Sequence, residues 1–97
     1  MNTKKAVTVL EALSSEARLD VFRLLVKHAP DGLVAGDIAR KLDIPPTTLS
    51  FHLKAISHTG LITMEREGRY LRYRASIPMM DEFIEYLVAQ CCLGSQV

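Results

Sequence analysis

The chain has 97 residues, 48% of them hydrophobic and 24% charged, with a formal net charge of +1. That describes one folded domain with a single modest core, and it excludes both a disordered chain and an active-site cleft enclosed between two lobes. No apolar run approaches the roughly 18–20 residues that span a bilayer, and the N-terminus lacks a signal peptide's apolar stretch, so a cytoplasmic location with no membrane partner is expected. The charge is unevenly placed. From Arg40 to Arg74 seven basic residues stand against three acidic ones, whereas from Ala75 onward Asp81, Glu82 and Glu85 meet no Lys or Arg. A basic middle beside an acidic end points to an anionic partner for the middle.

Val7, Leu10 and Leu13 recur at helical spacing. "SSEARLDVFRLLVKHA" resumes the pattern after a short break, with Ser14 or Ser15 as N-cap and Glu16 in the first turn. Two helices are therefore predicted before Pro30. Pro30, Asp31 and Gly32 each favour a turn, and the "VAGDIARKL" that follows is a short helix with Ile38 and Leu42 four residues apart. In "DIPPTTLSFHLKAISHTG" proline sits in the first helical turn, where its missing N–H has no partner to lose, and Gly60 supplies the far cap. The predicted helix covers residues 46–59. At about 100° per residue, Leu49, Leu53 and Ile56 share one face, Thr47, Phe51, Lys54 and His58 lie opposite, and Thr48 and Ser50 flank them. "LITMERE" and "YLRYRAS", joined across Gly68 and Arg69, read as a β-hairpin with a charged tip. In "PMMDEFIEYLVAQCC" Met80, Ile84, Leu87 and Cys91 form a helical stripe, with Gly94 ending the helix.

Two short helices across a tight "DIPP" break, the second polar outward and followed at once by a hairpin, have the organisation of a winged helix-turn-helix. The fold class is thus mainly α with a β-hairpin wing, α-α-α-α-β-β-α, one domain over residues 1–97. The chain resembles the ArsR/SmtB family of small dimeric bacterial repressors. "LSSEARLDVFRLL" is similar to the family's opening helix, "DIARKLDIPPTTLSFHLKAISHTGLI" to its helix-turn-helix and "REGRYLRYR" to its wing.

The resemblance implies a homodimer on double-stranded operator DNA, paired through residues 3–14 and 78–93, reading DNA with residues 35–59 and using 61–76 as the wing. Thr47, Thr48 and Ser50 would bond phosphates or base edges near a helix N-terminus whose dipole already favours an anion. Lys54 would meet phosphate or guanine, and Arg66 and Arg69 would reach the backbone or the minor groove. Phe51 departs from the family's polar or basic habit, and either packs on a thymine methyl or leans on neighbouring side chains. His52 makes either a structural hydrogen bond or a DNA contact. The stripes of the first and last helices are core or dimer surface.

The family's inducer sites differ. Its arsenite type with C-x-C on the helix before the turn is excluded, because "VAGDIARKL" holds no cysteine. Its zinc type on the last helix is poorly matched, because Asp81 is followed by no histidine. Cys91 and Cys92 are the chain's only two cysteines. Their Cα atoms are about 3.8 Å apart, a poor span for a disulfide. The pair resembles a subgroup with "CC" at the end of its last helix that responds to trivalent arsenic, and that resemblance makes arsenite or methylarsenite the inducer, with no cofactor required. Thiolates are the soft ligands such an ion prefers. The same pair could instead sense oxidants or another thiophilic ion, or be small apolar residues finishing the stripe, and the domain could be a protein-interaction module. Enzymatic activity is not expected, since no nucleophile–base set, paired inward carboxylates or phosphate loop occurs.

Overall fold

A computed structural model describes residues 1–89. The elements run α1 (Thr3–Ala12), α2 (Glu16–Lys27), β1 (Leu33–Val34), α3 (Ala35–Leu42), α4 (Pro46–Ser57), β2 (Ile62–Glu67), β3 (Tyr70–Ala75) and α5 (Ile77–Val88). Side-chain oxygens start three of the helices: Asn2 accepts from the Lys5 N–H, Ser15 from Arg18 and Ser76 from Met79. Each takes up one of the amide donors that a helix N-terminus leaves without an internal partner.

Leu49, Leu53 and Ile56 of α4 meet Val9, Val21, Leu25, Ile38, Leu61 and Ile62 in one buried cluster, as the spacing predicts. α1 turns the other way from its larger apolar residues. Ala6, Val9 and Ala12 are buried, while Val7 and Leu10 stay 47% and 48% exposed. Small inward residues let α1 lie close to its neighbours and leave the bulky ones outside.

The hairpin pairs Ile62 with Ala75 through to Glu67 with Tyr70, so the loop is the two residues Gly68 and Arg69. Gly68 takes the positive φ of 63° that the first position of such a turn requires. A third strand joins it, with Leu33 opposite Tyr73 and Val34 opposite Arg72. Two residues carry no alternation to detect, so the two-stranded expectation falls one strand short.

Two helix ends also differ from expectation. α4 stops at Ser57 because buried Thr59 folds back, its hydroxyl donating to the Ile56 carbonyl and accepting from the Leu61 N–H. α5 ends at Val88, where Ala89 has left the helical range at ψ 132°, and the expected stretch to residue 93 lies outside the described residues from residue 90 on. Cys91, Cys92 and Gly94 lie outside the described residues.

Gly32 is where the chain turns into β1. Its φ is +71°, and a Cβ there would overlap the carbonyl oxygen of Tyr73 in the sheet. Both the left-handed backbone and the close approach favour glycine. Gly32→Ala should therefore cost at least about 2 kcal/mol, lowering the melting temperature by about 10 °C in thermal circular dichroism.

Candidate nucleic-acid interface

The break between α3 and α4 is tight because Asp43 adopts a left-handed φ of 54°, a conformation Asp tolerates, and the Ile44 N–H returns to the Ala39 carbonyl. Pro45 and Pro46 then open α4. Neither has an N–H, the Leu49 N–H already bonds the Pro45 carbonyl, and no side chain caps the end. The Thr47 and Thr48 amides are left as the donors of the first turn, at the positive end of the helix dipole. Thr47, Thr48, Ser50, Phe51 and Lys54 are all exposed, and Phe51 is 75% exposed.

His52 makes a structural hydrogen bond. It is half-buried and its Nδ1 accepts from Arg18 Nε at 3.2 Å, which joins α2 to α4. The far end of α4 is also tied. Lys5 Nζ of α1 donates to the Thr59 carbonyl at 2.7 Å, a cation at the negative end of the helix dipole. Sequence spacing gave no sign of either link, since each joins residues more than thirty positions apart.

The basic stretch divides into structural and available cations. Arg72 Nε donates to Glu67 at 2.8 Å, Arg74 pairs with Glu65 at 2.6 Å, and Arg40 pairs with Asp37. Arg72 also reaches the carbonyls of Asp31 and Gly32, tying the wing to the turn before β1. The two wing pairs could have been anticipated from the hairpin register, in which Arg72 stands a diagonal step from Glu67 and Arg74 a diagonal step from Glu65. Lys41, Lys54, Arg66 and Arg69 form no ion pair among the described residues. Arg69, in the hairpin loop, lies over the Tyr70 ring at 5.7 Å, a contact that orients it without neutralising it.

Between the end of α4 and the core-side face of the wing runs an open groove lined by Lys54, His58, Met64, Leu71 and Tyr73. Burial pushes the Tyr73 phenol up from its ordinary pKa, so it is neutral at physiological pH. Among the described residues no three His, Cys, Asp or Glu side chains gather to hold a metal ion, and no helix is long and apolar enough to cross a membrane. The outer face of α4 is exposed and mostly polar, and the hairpin tip is cationic, a combination suited to duplex nucleic acid.

Residues 13–65 match a protein-family model described as a helix-turn-helix domain. The transcriptional activator HlyU of Vibrio cholerae is 28% identical over 95 residues, 98% of this chain and 85% of HlyU. An arsenical resistance operon repressor of Staphylococcus aureus is 29% identical, over 90% of this chain and 81% of its own. The homodimeric winged helix-turn-helix DNA-binding domain of a possible ArsR-family regulator from Mycobacterium bovis superposes with a TM-score of 0.72 at 28% identity, covering 88% of this chain and 77% of that one.

Proposed function

The chain belongs to the ArsR family of winged helix-turn-helix, DNA-binding transcriptional regulators, and from that premise we propose that it is a homodimeric repressor released from its operator when trivalent arsenic binds Cys91 and Cys92. The observation that carries the DNA-binding half is the division of α4. Leu49, Leu53 and Ile56 are buried, and the opposite face presents Thr47, Phe51 and Lys54 to solvent. A helix held by its back, by Arg18 at His52 and by Lys5 at its far end can enter a major groove as a rigid probe, while Arg69 on the wing reaches the phosphates beyond.

The dimer reading rests on α1 and α5. Val7 and Leu10 of the first and Ile84, Leu87 and Val88 of the second are about half exposed, and a hydrogen bond between Thr3 and Tyr86 joins the start of α1 to the last turns of α5. Exposed apolar stripes on adjoining terminal helices fit a self-complementary two-fold interface, and the M. bovis relative is homodimeric.

The arsenic reading rests on the adjacent thiols and on the relative named as an arsenical resistance operon repressor. In each exchange a thiol gives its proton to an arsenic-bound hydroxyl, an S–As bond forms and water leaves. Two exchanges use Cys91 and Cys92, and the third arsenic substituent stays a hydroxyl for arsenite or a methyl for methylarsenite.

Binding to duplex DNA tests the first half. The native chain should lose affinity steeply between about 50 and 200 mM salt, as release of condensed counterions requires. Lys54→Ala combined with Arg69→Ala should weaken binding about 10- to 100-fold at low salt, with a shallower slope of log affinity against log salt. Negligible affinity of the native chain at low salt would remove the repressor reading.

A further inference from the structure

We propose that Phe51 reads the 5-methyl group of a thymine in the major groove, making it a specificity-determining residue of the operator interface; this rests on the DNA-binding reading above. Phe51 is the sixth residue of α4, about one and a half turns from its start, in the part of a recognition helix that meets base edges. Counting about 100° per residue, it lies within about 20° of His58, about 40° of Thr47 and about 60° of Lys54, and nearly opposite the centre of the buried face. Its neighbours on that stripe are a hydroxyl, an ammonium and an imidazole. Among the described residues little covers Phe51, which stays 75% exposed.

The other large exposed apolar side chains of the helices would mostly be covered in the proposed dimer, since Val7 and Leu10 lie on α1 and Ile84, Leu87 and Val88 on α5. Phe51 lies on neither helix. The cations of the α4 and wing face that form no ion pair among the described residues, Lys54 on the same helix and Arg66 and Arg69 on the wing, set the sign of the occupant as a polyanion. Within duplex DNA the apolar group offered to a major-groove side chain is the thymine methyl. Thr47 and Lys54 on either side can bond phosphate or base edges, which fixes the helix so that the ring approaches one base step.

The test uses the full chain and removes only the methyl. Duplexes are selected from a random library, and in the selected sequence each thymine is replaced in turn by deoxyuridine. One thymine in each half-site should then cost the native chain about 4-fold in affinity, the equivalent of about 0.8 kcal/mol for a buried methyl-sized group. Changing both half-sites should cost about 15-fold if the two act independently. Phe51→Ala should bind thymine and deoxyuridine duplexes equally, and Phe51→Leu should keep part of the discrimination. The same loss on deoxyuridine in the native and Phe51→Ala proteins, or no loss at any position in the native chain, overturns the assignment while leaving DNA binding in place. Failure to bind any duplex removes both readings. If Phe51→Ala changes the oligomeric state of the free protein, the ring is covered by protein and the assignment also fails.

Discussion

Leu10→Glu combined with Leu87→Glu should leave the chain folded but monomeric, with operator affinity lowered at least about 100-fold, the scale at which linkage of two binding modules operates. Both side chains are about half exposed in the protomer, 48% and 53%, so a carboxylate at either position meets water and costs the monomer little. In a two-fold dimer the same positions occur twice, and four carboxylates would be gathered on one apolar surface. Their desolvation and mutual repulsion exceed what a modest interface can supply, and each released protomer keeps one recognition helix and one half-site. Light scattering gives the mass, circular dichroism the fold, and a mobility shift the affinity. A variant that stays dimeric would move the interface away from α1 and α5. A monomer that binds as tightly as the native chain would show that paired half-sites are not needed.

How much was legible in the sequence follows from the range of each interaction. The orientation of α4 was readable because Leu49, Leu53 and Ile56 repeat within one element, and local spacing reports which side meets a core. The hairpin was readable for the same reason, its turn marked by Gly68. β1 was not, because two residues form a strand only when Tyr73 and Arg72 are already beside them. Spacing in α1 found the apolar residues but not their direction, since Ala6 and Ala12 face inward and the larger Val7 and Leu10 face out. The count of basic residues overstated the interface. Arg72 and Arg74 are held by Glu67 and Glu65 and stiffen the wing, and this leaves Lys54, Arg66 and Arg69 as the available cations of the α4 and wing face.

The links that join these parts bear on how a signal could reach DNA. α1 carries half of the proposed dimer surface, and its Lys5 holds the carbonyl at the end of α4. Arg18 of α2 holds His52 from the other side. A shift of α1 against α5 would therefore be passed to the recognition helix through a hydrogen bond and a packed core, both of which favour discrete arrangements over gradual bending.

Cys91→Ser combined with Cys92→Ser should bind operator within about two-fold of the native chain, because Ser replaces each thiol with little change of volume and neither residue is among those proposed to touch DNA. It should lose release by arsenic completely. In the native chain a 10-fold fall in operator affinity requires that arsenic bind the DNA-free form about 10-fold more tightly than the DNA-bound form, a coupling of about 1.4 kcal/mol. Coupling of that kind is reciprocal, so saturating operator should weaken arsenic binding to the native chain by the same factor, and titration with and without DNA measures it. Methylarsenite should act at no higher concentration than arsenite, since two thiols complete its exchangeable positions, whereas arsenite keeps a hydroxyl that a third thiol could displace. Zinc and peroxide, tested beside them, separate an arsenic sensor from a general thiol sensor. Release by zinc or peroxide that depends on both cysteines, with no response to arsenite, would assign the pair to another signal. An unchanged arsenite response in the double variant would remove Cys91 and Cys92 as the site and leave the DNA-binding reading as it stands.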